Sequence, residues 1–186
     1  MTLALTNHVQ LKAAQINAKY CVNCPLCTSR NTVVYGYGNI YSRHALVGEA
    51  PGKIEDKLGL PFCGKSGEFL RSQLAKLGVS LADCYVFNSV LCRPPNNRRP
   101  TASELNACRE HINTMLRLCY ASTFITFGLT ATRTFLPTAK LTDVLGVCHT
   151  LYDGRIVIPN YHPAYVLRTP TLQKQFRRIL RKGISA

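Results

Sequence analysis

Acidic side chains are scarce in this sequence. Nine Asp and Glu stand against 23 Lys and Arg in 186 residues, a formal net charge of +14. That imbalance points to a polyanionic partner, nucleic acid first among them. Long apolar runs are missing too. None approaches the roughly 18 residues of a membrane-spanning helix, so no membrane partner is expected. The opening segment MTLALTNHVQLKAAQINAKY has neither the basic start nor the long apolar stretch of a secretion signal. This predicts a cytoplasmic protein, or one held in a nucleus or organelle. There is no repeat, low-complexity tract or linker, and 46% hydrophobic content suits one domain spanning 1–186 with a full core.

Cysteine, by contrast, is plentiful, with nine copies. In a reducing compartment these are thiols or metal ligands and not disulfides. CVNCPLC (21–27) sets three sulfurs at three-residue spacing, so that Cys21 and Cys24 form one CxxC and Cys24 and Cys27 another. Cys92 precedes an arginine-rich loop and Cys108 lies in the helix predicted after it, which lets the two face each other. A metal site needs about four ligands, and spacing alone admits either zinc or an iron–sulfur cluster. A ferredoxin run would place a fourth cysteine and a proline soon after Cys27, where Thr28-Ser29-Arg30 stands instead. Cys63, Cys84, Cys119 and Cys148 read as small buried hydrophobes.

Four short apolar runs predict buried strands: HALVGEA (44–50), CYVFNSV (84–90), STFITFG (122–128) and GRIVIPNYH (154–162). Helical patterns cover 66–78, 103–119 and 129–136, and a loose apolar pattern of Leu3, Leu5, Val9, Leu11 and Ile16 predicts a helix over 2–17. Thr101 and Glu104 have the spacing of a capping box. The stretch TLQKQFRRILRKG (171–183) reads as a basic amphipathic helix. Strands alternating with helices imply an α/β protein whose parallel sheet is covered on both faces. In such sheets ligands bind beyond the carboxyl ends of the strands. GEAPG (48–52), Asn88 and His162-Pro163 all fall there and can converge on one pocket.

Taken alone, GEAPGKIEDKLGLPFCGKSGEFL (48–70) is loop in its first half, with a helix starting near Ser66. GKSG is not a phosphate-binding P-loop, because the earlier glycine of that motif would fall at Leu60. Phe62 beside Pro61 reads as core. In NSVLCRPPNNRRP (88–100) a stiff Pro-Pro turn carries Arg93, Arg98 and Arg99, which suit phosphate contacts.

Together these motifs resemble a known family. GEAPGxxED with PFxGxxG, then NxVxCRPPxNRxP with a cysteine further on, then HPAYxLRxP, are similar in order to the iron–sulfur (family 4) uracil-DNA glycosylases. CxxCPL and VVYGYGN fit the same pattern, so that the likeness runs from about Cys21 to Pro170. The resemblance implies a three-layer sandwich with a four-stranded parallel central sheet flanked by helices. It implies a [4Fe–4S] cluster on Cys21, Cys24, Cys92 and Cys108, leaving Cys27 a spare thiol. It also implies a uracil pocket of Glu49, Ala50, Pro51, a stacking Phe62, a base-reading Asn88 and a catalytic His162.

The implied partner is uracil-containing DNA, single- or double-stranded, met by a monomer in a DNA-containing compartment. The implied reaction is hydrolysis of the N-glycosidic bond of a flipped uracil, which leaves an abasic site. Asn88 would pair with uracil O4 and N3–H, and His162 with loop amides would stabilise the departing anion. Glu49, Glu55 and Asp56 are open choices for orienting water. Arg168 with Val166 and Leu167 would meet DNA, the two apolar residues as wedge candidates. Many relatives carry Arg-Gly where Leu145-Gly146 stands and Lys where Leu91 stands, and Ala164 replaces a common serine. The Leu145 and Leu91 departures support a second reading, a weakly active or inactive uracil- or DNA-binding module of the same fold. A third reading is an electron-transfer protein built on the cluster.

Overall fold

The computed structural model describes residues 3–186, with side chains from Leu5 onward. Its elements run α1 (Leu3–Ala18), β1 (Tyr37–Gly38), β2 (His44–Gly48), α2 (Lys53–Leu58), α3 (Lys65–Ala75), β3 (Tyr85–Asn88) and α4 (Ala102–Leu118). They continue with β4 (Thr123–Phe127), α5 (Gly128–Arg133), α6 (Leu141–Val144), β5 (His149–Thr150), β6 (Ile156–Asn160), α7 (Pro163–Arg168) and α8 (Gln173–Ser185). The sheet order is β1-β3-β2-β4-β6-β5.

The four predicted strands form the parallel centre. The sheet as a whole is six-stranded and mixed, which corrects the expectation of four parallel strands alone. Each edge carries a two-residue strand, β1 against β3 and β5 against β6, both antiparallel. Two residues are too few to carry an alternating pattern, so sequence periodicity could not reveal them.

Alternation along the central strands divides the core in two. Ala45, Val47, Tyr85, Phe87, Phe124 and Val157 cluster with Leu11, Ala18, Ile112 and Met115 of α1 and α4. Leu46, Val86, Ile125 and Phe127 cluster with Phe69, Leu70 and Leu74 of α3, Val166 of α7, and Phe176 and Leu180 of α8. The capping box at Thr101 forms as expected, each partner's side chain bonding the other's backbone N–H. The basic amphipathic helix is α8, burying Phe176, Ile179, Leu180 and Gly183.

Two further expectations change. Residues 48–64 are not all loop, since α2 lies between Gly52 and Gly59. In α1 only Leu11 of the apolar residues named above is buried, whereas Leu5, Val9 and Ile16 are exposed. The inward stripe is made instead by Leu11, Ala14 and Ala18, with Asn7 donating to the Leu118 carbonyl at 3.4 Å. Thr2 and the Leu3 side chain, also assigned to this helix, lie outside the described residues. Among the described residues no helix is long and apolar enough to cross a membrane.

Candidate active site

The parallel strands end in register, Gly48 beside Asn88 and Phe127 beside Asn160. The segments leaving these strands therefore share one edge of the sheet. A cleft of about 740 Å³ opens there, lined by Glu49, Ala50, Pro51, Phe62, Asn88 and His162. All six residues expected to hold the base thus meet in one place.

His162 precedes α7 and caps it. Its Nδ1 accepts the Ala164 backbone N–H at 3.2 Å. A neutral ring in that arrangement carries its proton on Nε2, leaving Nε2–H free to donate. Burial lowers the His162 pKa below the usual histidine value, opposed by the Glu49 carboxylate and assisted by Arg168. The ring is therefore uncharged at neutral pH.

Asn88 ends β3 and is buried, and no side-chain hydrogen bond to it is formed among the described residues. Its Oδ1 lies against Gly48 so closely that a Cβ on Gly48 would come within 2.2 Å of it and within 2.7 Å of Phe62 Cζ. A strand end without a side chain is what lets the amide and the aromatic ring approach the same space. Phe62 is both core and cleft wall: it is buried, meets Phe127 edge-on at 5.9 Å, and lines the cleft. It has φ 53, a conformation disfavoured for a bulky residue, and its carbonyl accepts from Arg71 Nη1 at 2.7 Å.

Three neighbouring carboxylates have separate tasks. Asp56 is fully buried and accepts from the Asn31 and Thr32 backbone N–H groups and the Asn31 side chain, so it fastens the 31–32 segment to α2. Glu55 lines the cleft, with Oε1 accepting from the Gly64 N–H at 3.0 Å. Glu49 Oε2 accepts from the Thr130 hydroxyl at 2.6 Å, and Oε1 has no hydrogen-bond partner among the described residues.

Of the cationic residues expected to meet DNA, Arg98, Arg99 and Arg168 line the cleft, while Arg93 does not. Arg93 Nε donates to Asn97 Oδ1 at 2.7 Å. Arg98 is held by both oxygens of Glu104, at 2.8 and 2.6 Å, so part of its charge is already matched inside the protein. Val166 is a correction: its side chain is fully buried in the apolar cluster with Phe69, Phe127 and Phe176 and is out of reach of DNA. Leu167 is 41% exposed and stays available.

Cys21, Cys24, Cys92 and Cys108 line one small cavity, and Cys27 reaches it too. Arg30 Nη1 donates to Cys92 Sγ at 3.5 Å and the Leu91 N–H to Cys108 Sγ at 3.4 Å. Leu91 is buried and walls this cavity. Among the described residues no three His, Cys, Asp or Glu side chains stand close enough to share a single metal ion. Of the other four cysteines, Cys84 and Cys119 are buried as expected, Cys63 is partly exposed and Cys148 is exposed. The last two lie in loops, where no packed layer covers them.

The family model described as the uracil DNA glycosylase superfamily matches residues 35–182. The chain belongs to this superfamily, and it is similar over most of its length to several type-4 members. It is 39% identical to the type-4 uracil-DNA glycosylase of Thermotoga maritima over 168 residues, 89% of this chain and 86% of the relative. It is 38% identical to that of Pyrobaculum aerophilum over 173 residues, 87% of each chain. Against that of Archaeoglobus fulgidus it is 34% identical over 170 residues, covering 87% and 85%.

Residue patterns missed Thr130 on Glu49 and Arg30 on Cys92, pairs separated by 81 and 62 positions. They also missed Tyr161 and Tyr165 in the cleft wall. No local signal marks such contacts.

Proposed function

We propose that this chain is a uracil-DNA glycosylase that takes uracil out of the DNA stack, hydrolyses its N-glycosidic bond and leaves an abasic site. The observation that carries the reading is the His162 Nε2–H, left free to donate in a cleft shared with Asn88 and Phe62. A stacked uracil is out of reach, so the nucleotide must turn out of the helix at a cost of a few kcal/mol. Exposed Leu167 fills the gap, and Arg99 and Arg168 hold phosphates. In the cleft the base stacks on Phe62. The Asn88 amide donates to O4 and accepts from N3–H, a pairing that cytosine, with its amine and bare N3, cannot return.

As the bond to N1 breaks, its electron pair passes into the ring and negative charge gathers on O2 and N1. The His162 Nε2–H donates to that charge. A neutral imidazole suits this task, because it stays a donor without giving up its proton early. The cationic sugar is held by the DNA phosphates and by the free Glu49 Oε1. Water adds to C1′ and releases a proton that offsets the charge of the departing uracil anion; Glu49 orients this water from the carboxylate that Thr130 holds, whereas both oxygens of Asp56 are bonded.

Cys21, Cys24, Cys92 and Cys108 suit a [4Fe–4S] cluster. Burial pushes the Cys24 and Cys92 thiols up and the Cys108 thiol to about 12; bound iron would be what holds these sulfurs as thiolates. The cluster's contribution is structural: it would tie the 21–30 segment to α4 and to the arginine loop. The protein acts as a monomer on single- or double-stranded DNA in a DNA-containing compartment such as the cytoplasm. The experiment is incubation of cluster-loaded protein with uracil-containing oligonucleotides of both kinds. Free uracil is expected; binding without release would favour the non-catalytic module, and neither would end the reading.

A further inference from the structure

We infer that Thr130 is a positioning residue for Glu49, and that α5 thereby sets the direction in which Glu49 Oε1 faces the sugar. This rests on the role given to Glu49 above. The Thr130 hydroxyl donates to Glu49 Oε2 at 2.6 Å, the short separation of a charge-assisted bond. Threonine is a suitable donor, because its branched Cβ restricts χ1 and so restricts the hydroxyl.

The helix carrying Thr130 is itself fastened to the backbone that carries Glu49. Thr134 Oγ1 is bonded to Ser89 Oγ at 3.0 Å, and Ser89 Oγ donates to the Gly48 carbonyl at 3.0 Å. Gly48 is the residue before Glu49. The route from Glu49 through Thr130, along α5, and back through Thr134 and Ser89 is therefore a closed ring. It fixes the carboxylate relative to its own main chain. The same helix starts beneath His162, where a Cβ on Gly128 would lie 3.3 Å from His162 Cβ. One short helix thus spaces the donor to the base from the acceptor beside the sugar. Without the Thr130 bond, the Glu49 side chain would turn among rotamers and face the sugar only part of the time.

The test is steady-state uracil release by Thr130→Val, Thr130→Ser and Glu49→Gln, alone and with Thr130→Val added to Glu49→Gln. Misplacement of a reacting group predicts a fall in kcat of about tenfold or more for Thr130→Val. KM should stay within about twofold, and Thr130→Ser should restore the rate. In the Glu49→Gln background Thr130→Val should cost nothing further, the signature of two residues acting as one unit. A merely structural threonine would lower thermal stability without this split between kcat and KM and without the non-additivity. If Glu49→Gln is slow while Thr130→Val turns over at the wild-type rate, the inference is overturned and the Glu49 reading stands. If Glu49→Gln itself keeps full rate, both are overturned.

Discussion

The backbone N–H of Ala164 bonds Nδ1 of His162 at 3.2 Å, and this contact decides which ring nitrogen can reach a ligand. It makes the helix cap and the proposed donor one device, since the turn that starts α7 also orients the ring. Replacing His162 by Gln should slow uracil release by about 10² to 10³-fold, the usual cost of one such donor, with circular dichroism unchanged.

Acidification tests the same burial. The His162 pKa is lowered in the folded chain, as are those of His44 and His111, each chiefly by burial. The unfolded chain therefore binds more protons just below the ordinary histidine value of about 6.5. Stability should be flat above that pH and fall as pH drops through it towards the folded values. Thermal melts between pH 8 and 5.5 should show this slope, and it should be smaller in His162→Gln. An identical slope in both proteins would mean that the ring is not buried as described.

Gly48→Ala probes the shared space of Asn88 and Phe62. The added Cβ would meet Asn88 Oδ1 at 2.2 Å and Phe62 Cζ at 2.7 Å, so both base-facing groups must move. A displacement of this size predicts a fall in kcat/KM of about 100-fold. Iron content should not change, because the cysteine cavity lies elsewhere.

Arg98 and Glu104 form an ion pair that ties the arginine-rich loop to α4. The Arg98 hydrogen bonds, with those from Thr101, hold the Glu104 carboxyl down to about 2. Its stabilising effect is complete above the ordinary carboxylate range and is lost as pH falls from about 4.3 towards the folded value. Acid unfolding of Glu104→Gln should lack that component. Thr101→Ala, which removes one cap bond, should cost about 1 kcal/mol at neutral pH by denaturant melts.

The cysteine assignment is tested by single substitutions and a visible spectrum. Cys21, Cys24, Cys92 and Cys108 changed singly to Ser should each lose broad absorbance near ~400 nm, the mark of a thiolate-held iron–sulfur cluster. Cys27→Ala should keep it, although Cys27 also lines the cavity. Bound zinc with no absorbance in the wild type would reject the cluster.

Much of the architecture could be read from residue patterns because buried parallel strands are continuous apolar runs and the loops at their ends are chemically unusual. That is why GEAPG, Asn88 and His162 could be expected in one cleft from their positions in the chain, whereas Phe62 is placed there only by the family resemblance. Other choices depend on packing that one-dimensional patterns do not carry. Glu49, Glu55 and Asp56 look alike in sequence, yet Asp56 is bonded through both oxygens, Glu55 accepts from the Gly64 N–H and Glu49 accepts from Thr130. Val166 and Leu167 are adjacent and similar, but successive helical positions point about 100° apart. Only the packing of α7 against the core decides that Val166 is buried and Leu167 exposed. The α1 stripe failed for a related reason: Leu5, Val9 and Ile16 face outward, and Leu11 turns inward with the small Ala14 and Ala18.

The role of His162 is tested head-on by single-turnover release of uracil from a uracil-containing oligonucleotide, with wild type and His162→Gln measured side by side at pH 7. Rapid release by the wild type, slowed at least about 100-fold in the variant with DNA binding intact, is the predicted result. Equal rates in the two proteins would contradict it, because the Nε2–H would then have no part in the departure of the base.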